Sequence, residues 1–309
     1  MAKVMNTTKT EASFNRISKV LSYIHTHLDA PLSLEEIAQQ SCWSRWQLQR
    51  VFQAETGLTV AQYVRELKLS SAAELLLDSD QRVIDVALAK GFNSEIAFSR
   101  AFKQFFGQSP RAYRKNAQRV GLKKPIQVSE MNINGFNAHT FVEVRVDTKP
   151  DFILKGIHGE IKGLFSLSPD FSRVVPQLWS RLESETNKVA KPKGQLLGVV
   201  DVTNATFDGS NIHYWAGIEL GSEVAIPVLP SIVSRNLSVL NVPQQTYAAV
   251  KHKGPIETLP KTLRWFLLHW LPSSGYRGLD GYELEVYPDN YQADSESAEM
   301  EYWVPIIKV

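Results

Sequence analysis

Trp43–Phe52 reads WSRWQLQRVF, and as a helix it has two faces. Leu48, Val51 and Phe52 share one, an apolar back. Trp46, Gln49 and Arg50 fall at i, i+3 and i+4 on the other. Ser44, followed three residues later by Gln47, marks the helix start, because each side chain can bond the other's backbone N–H. The spacing therefore puts a tryptophan beside an arginine on an outward, solvated face. That arrangement calls for a partner.

A twin lies 50 residues further on, in NSEIAFSRAF, Asn93–Phe102. Ser44, Arg50, Phe52, Gly57 and Tyr63 recur as Ser94, Arg100, Phe102, Gly107 and Tyr113. Leu48 matches Phe98, and Thr59 matches Ser109. Upstream, Ala38 matches Ala87 at an offset of 49, so the second turn is one residue longer. Each copy is a short helix, a tight turn and a second helix, with a small alanine where the two helices must approach closely. That is the composition of a helix-turn-helix, whose second helix enters a DNA major groove. The first outer face presents Arg45, Trp46, Gln49, Arg50 and Gln53; the second presents Glu95, Ile96, Ser99, Arg100 and Lys103. Arginine can bond guanine in bidentate fashion, glutamine can pair with adenine, and tryptophan or isoleucine can pack on thymine methyls. Alternatively, Trp46 packs on another helix and Arg50 pairs with Glu35 or Glu55. Two patterns in register favour DNA reading over a structural bundle.

Around these motifs the first 115 residues read as helix. Residues 14–28 carry Ile17, Val20, Leu21, Ile24 and Leu28 at helical spacing. Ser33 with Glu36 and Thr59 with Gln62 form two further capping pairs, and a long helix is predicted over Val60–Leu77. Residues 1–12 are a polar tail expected to be disordered, 13–115 a DNA-binding domain, 116–137 a linker, and 138–309 an α+β domain. Strand candidates there are FVEVRVD, DFILKGIHGE, QLLGVVDVT, IHYWAGIEL, TYAAVKHKG, YELEVYP and EYWVPIIKV, with amphipathic helices near Phe171–Asn187 and Ile256–Leu271. FILKGIHGE and YAAVKHKGP look like two copies of one strand, which would place His158 and His252 at matching strand ends.

The net charge of +2 hides an asymmetry. Residues 1–124 carry 18 Lys+Arg and 11 Asp+Glu, a net of +7; the remainder carries 34 − 18 = 16 and 32 − 11 = 21, a net of −5. A polyanion partner is thus expected for the first part only. No apolar run of spanning length occurs, the N-terminus lacks a secretory signal's apolar core, and Cys42 is the one cysteine, so a cytoplasmic protein without membrane contact is expected.

In the acidic part, YELEVYP places Glu283, Glu285 and Tyr287 on one strand face. Trp303 accompanies Glu301, and Trp179, Trp215, Tyr214, Tyr247, Trp265 and Trp270 supply aromatics. A carboxylate among aromatic rings suits a cationic or amphipathic small ligand. Core packing of the tryptophans and solvation of the glutamates is the alternative. No catalytic motif such as G-x-S-x-G or H-E-x-x-H occurs, and His25 and His27 diverge on their helix, so neither a catalytic residue, a metal nor a cofactor is expected.

IAQQSCWSRWQLQRVFQAETGLTVAQYVRELKLSSA and VIDVALAKGFNSEIAFSRAFKQFFGQSPRAYRK resemble the AraC/XylS family of bacterial transcription regulators, and the domain order resembles its Rob type. The resemblance implies two recognition helices in adjacent major grooves, joined by a stiff helix, with Trp46, Gln49, Arg50 and Arg100 at base-reading positions. Glu95-Ile96 departs from the paired glutamines of that type, which implies a different preference at the second half-site. ILKGIHGE, YAAVKHKGPI, LEVYPDN and EYWVPIIK resemble a GyrI-like effector-binding domain. This implies two β-α-β-β units around a carboxylate, here Glu285, with Tyr287, Trp303, Tyr247, Trp215 and Trp179 as candidate effector contacts. The expected protein is multidomain: an all-α N-terminal domain with two helix-turn-helix motifs, then the α+β domain. It would act in the cytoplasm on the bacterial nucleoid, binding double-stranded DNA with an asymmetric two-half site for which a single chain needs no two-fold partner. Its small-molecule effector would change either the arrangement of the halves or contact with RNA polymerase. Alternatives are a hydrolase or drug-sequestering module fused to the DNA-binding part, or an architectural nucleoid protein.

Overall fold

The computed structural model describes residues 16–126, 142–162, 169–186, 194–206, 211–220, 236–288 and 291–309. The expected tail 1–12, the linker beyond residue 126 and the expected domain start at 138 lie outside these. Two compact units are present. One contains most of the helices; the other contains Cys42–Val51 together with the C-terminal residues.

The helices follow the repeat: α1 over residues 16–26, α2 Leu34–Gln39, α3 Arg45–Thr56, α4 Val60–Asp78, α5 Val83–Ala89, α6 Glu95–Phe106 and α7 Pro110–Asn116. Their starts are capped as the sequence predicts. The Ser33 hydroxyl accepts from the Glu36 N–H while the Glu36 carboxylate accepts from the Ser33 N–H. Ser44 and Gln47 exchange the same pair of bonds at 3.2 Å each. Thr59 caps Gln62, but the Gln62 side chain turns instead to Glu66, so that box is only half formed. Ser94 accepts from Ala97 N–H at 3.1 Å. Gly107 ends α6 at φ 75°, a left-handed conformation that a Cβ would strain. Leu69, Ala72 and Leu76 of α4 pack with Val86 and Ala87 of α5 and with Phe98 and Phe102 of α6 in one apolar cluster. Truncating Phe98 or Phe102 there would cost about 3–5 kcal/mol.

The second unit is built on an antiparallel sheet: β1 Val144–Lys149, β2 Phe152–Ile161, β3 Gln195–Asp201, β4 Ile212–Leu220, β5 Ser238–Val242, β6 Gln245–Lys253, β8 Tyr282–Val286 and β9 Glu299–Lys308. The spatial order is β1-β6-β9-β8-β3-β4-β2-β5, with β7, Tyr276–Gly278, added to β9. Two β-α-β-β units are evident: β2, α8 (Phe171–Thr186), β3, β4, and β6, α9 (Leu259–Trp265), β8, β9. They join edge to edge through β3 and β8. Each edge strand precedes one unit and pairs with the other: β1 with β6, and β5 with β2. That exchange ties the halves into one sheet.

Four expectations change here. β5 and β7 were not foreseen, because SVLNV is five residues whose apolar positions follow no strict alternation and YRG is only three residues. The helix expected over Ile256–Leu271 is instead a 3₁₀ turn, α9, a π turn over Phe266–Trp270 and a second 3₁₀ turn at Pro272. His158 and His252 are not equivalent. His252 is buried, bonded through Nδ1 to Thr262, whereas His158 is exposed and stacked on Trp215 at 4.2 Å. A one-residue slip in the repeat sends a strand side chain to the other face. The fourth change concerns the opening stretch and belongs to the site.

Candidate functional site

Strand alternation gives β8 a polar face, Glu283 and Glu285, and an apolar one, Leu284. Glu285 Oε2 accepts the hydroxyls of Tyr214 at 2.6 Å and Tyr287 at 2.5 Å. Trp179 Nε1 donates to the Tyr214 oxygen at 3.0 Å, and its ring meets Tyr287 edge-on at 5.6 Å. Gly198, opposite Glu285 in the sheet, leaves the room this needs: a Cβ there would lie 2.3 Å from the Tyr214 hydroxyl oxygen. Burial pushes the Glu285 carboxyl above the ordinary range, and the two tyrosine hydroxyls pull against that shift. Glu283, 1% exposed, accepts from the Tyr302 hydroxyl. Its carboxyl is also raised by burial, with Arg50 and Tyr302 opposing.

Arg50 comes from the opening stretch. Its Nη1 lies 3.2 Å from Glu283 Oε2, and the guanidinium stands 5.8 Å from the centre of the Trp46 ring. Trp46 belongs to the same apolar cluster as Ile157, Leu178, Leu182 and Tyr214. Asp280 accepts from Arg45 Nε at 2.6 Å and from the Trp46 N–H at 3.0 Å, which places a carboxylate at the free N–H groups of the α3 start. Gln49 Nε2 donates to Thr206 O at 3.3 Å, Trp43 Nε1 to Leu267 O at 2.9 Å, and Gly278 N–H to Cys42 O at 2.9 Å. What remains beside Trp46, Glu283 and Glu285 is a cavity of about 100 Å³. Ligand pockets run to several hundred Å³, so this cavity, walled in part by Trp46 and Arg50, is small for one.

The expected solvated face of Trp46, Gln49 and Arg50 is thus corrected: they are 6%, 5% and 3% exposed. Helical spacing determines which side chains share a face; it cannot say what covers that face. Arg50 pairs with Glu283, a partner that the sequence did not suggest. Arg45 and Gln53 retain partial exposure. In the twin, Ile96 is 67% exposed, Arg100 and Lys103 are exposed, and Glu95 and Ser99 are partly so.

Of the expected effector contacts, the structure brings Glu285, Tyr287 and Trp179 together. Tyr247, Trp215 and Trp303 lie elsewhere, in a cluster with Leu154, Leu197 and Leu284 on the other sheet face. Trp215 sits one residue from the pocket-lining Tyr214, and Trp303 one residue from Tyr302. Tyr214, Tyr302 and Glu283 complete the floor, and the alternation of IHYWAGIEL and EYWVPI contained that signal. A larger open groove of about 710 Å³ runs beside Tyr287, Tyr291 and Lys251. Among the described residues, no group of three or more His, Cys, Asp or Glu is placed to hold a metal, and no helix is long and apolar enough to cross a membrane.

Comparison with known proteins agrees with this construction. A helix-turn-helix domain family matches residues 37–116, and the GyrI-like small molecule binding domain family matches residues 142–307, more than half of the chain. The uncharacterized HTH-type transcriptional regulator YbfP of Bacillus subtilis is 38% identical over 120 residues, 39% of this chain and 41% of that protein. The right origin-binding protein of Escherichia coli is 35% identical over 119 residues, 38% of this chain and 41% of that protein. The multiple antibiotic resistance protein MarA of Salmonella typhimurium is 38% identical over 98 residues, 32% of this chain and 77% of that protein. The first two matches therefore span about two fifths of those relatives' length. Fold and site define a two-part chain, a helix-turn-helix domain followed by a GyrI-like small molecule binding domain. The chain belongs to the AraC/XylS family, and its C-terminal domain to the GyrI-like small molecule binding family.

Proposed function

We propose that the protein is an effector-responsive regulator that reads an asymmetric DNA site and senses a hydrophobic organic cation. Residues Arg45, Trp46, Gln49, Arg50 and Gln53 read one half-site, and Glu95, Ile96, Ser99, Arg100 and Lys103 the other. The half-sites are about one helical turn (~34 Å) apart. Both reading helices come from one chain, so a monomer suffices. The effector sits over Glu285, ringed by Tyr214, Tyr287 and Trp179. The carrying observation is that carboxyl, buried among aromatic hydroxyls and an indole. A delocalised cation is attracted both by carboxylate charge and by ring faces, and loses little hydration on entering. The arginine–tryptophan pair now beside the floor has that same chemistry.

Calorimetry on the full chain with aromatic cations and with neutral amphiphiles of equal size tests the ligand class. Binding of the cations alone, weakened by Glu285→Gln, is expected; equal binding of both sets would contradict it. Turnover of an electrophilic ester in the same cell would instead favour the hydrolase alternative.

A further inference from the structure

We infer that DNA and the C-terminal pocket compete for one helix face, so that effector binding releases α3 for DNA. This rests on the reading of that pocket as the effector site. Of the side chains offered for base reading on α3, the central three, Trp46, Gln49 and Arg50, are buried against the C-terminal residues, while Arg45 is tied to Asp280. A helix in a major groove needs these atoms at its surface, against base edges. Seated as they are, none can reach a base. DNA recognition by α3 and the seated form exclude each other.

The seating is specific. Asp280 holds the start of α3 through a side-chain and a backbone bond, and Glu283 holds Arg50 in its middle. Backbone oxygens of Thr206 and Leu267 accept from Gln49 and Trp43. At Gly278 the approach is close enough that a Cβ would stand 1.8 Å from Gln47 Oε1. Carboxylates thus take the arginines that would otherwise meet guanine or phosphate. The fit is also incomplete: Trp46 Nε1 has no hydrogen-bond partner among the described residues, and about 100 Å³ stays unfilled beside it. A buried indole N–H without a partner is unfavourable. An aromatic cation that fills the floor more completely displaces α3 without opening a new site. Among the described residues, the exposed outer face of α6 carries no such lock.

The test uses the full chain, a duplex selected from a random pool, and crystal violet as the aromatic cation. Two substitutions loosen the seat without touching the effector floor or the reading face: Asp280→Asn and Gly278→Ala. Fluorescence anisotropy should show both variants binding the duplex more tightly than the wild type, by a factor between about 5 and 150. Crystal violet should raise wild-type affinity towards the variants' and add little to theirs. Because coupling is reciprocal, saturating duplex should tighten dye binding to the wild type by the same factor. Variants that melt cooperatively, exchange amide hydrogens faster over Cys42–Val51, and yet bind DNA no better overturn the inference. If the variants do not fold, independence of dye and duplex affinities in the wild type overturns it equally. If the dye binds no variant while both variants gain DNA affinity, competition stands and the aromatic-cation reading fails instead.

Discussion

Helices α3 and α6 are products of one repeat, each of 12 residues. Each is started by a serine hydroxyl and anchored by an apolar back: Leu48, Val51 and Phe52 in one, Phe98, Ala101 and Phe102 in the other. Their outer faces differ completely in circumstance. The α3 face is buried on Glu283, Asp280 and Tyr214; the α6 face is open, with Glu95 in a loose 3.5 Å pair with Arg111. The backs specify the fold, and they do so alike. The outer faces, to which we assign DNA reading, differ in sequence: Trp46 and Gln49 stand where α6 has Ile96 and Ser99. Glu95 is the sharpest divergence, since a carboxylate there could not settle against an acidic floor, whereas Arg45 can.

The largest expected effect separates the two at their ion pairs. Glu283→Ala removes the carboxylate paired with the buried Arg50, which should cost the seated form about 3–5 kcal/mol. Glu95→Ala breaks an exposed pair and should change stability by about 0–1 kcal/mol. Thermal denaturation of both variants checks this, and similar losses would erase the contrast. Next come the shared arginines. In duplex competition assays with crystal violet present, Arg50→Ala should lose about 1–3 kcal/mol of base discrimination, the amount of a bidentate contact. Arg100→Ala should lose less, because its neighbours are Ile96, Ser99 and Glu95. Equal losses would make the two helices equal readers. Smaller again are the caps: Ser44→Ala and Ser94→Ala should each cost about 1 kcal/mol. A clearly greater cost at Ser44 would show that its reciprocal bond with Gln47, itself pressed against Gly278, is part of the seat.

The sequence carried the fold because its determinants are local or periodic. Ser44 with Gln47, Gly107 and the 50-residue offset each declare a helix end or a duplicated motif. Strand alternation likewise named Glu285 and Tyr287. What could not be read was the partner of an outer face. Arg50 and Glu283 are 233 residues apart, and nothing near either announces the other. For the same reason Trp215 and Trp303 were expected at the effector site in place of Tyr214 and Tyr302: deciding between neighbours on a strand requires knowing which sheet face α8 covers. The short β5 and β7 escaped because pairing, not composition, makes them strands.

The smallest effect concerns protons, and it arises on the α3 side alone. Glu285 titrates above its ordinary value of 4.5 in the folded chain because burial disfavours its charge. Glu283 adds to that shift, while Tyr214, Tyr287 and Arg50 oppose it. The folded state therefore holds the Glu285 proton where the unfolded chain has released it. Its stabilising contribution is full below 4.5 and is lost as pH rises through the raised value. Glu285→Gln keeps a polar group of the same shape and removes the titration. Melting temperatures measured at successive pH values upward from 4.5 should fall less steeply in this variant than in the wild type. A steeper fall would mean that the tyrosine hydroxyls outweigh burial, so that Glu285 is held as a carboxylate.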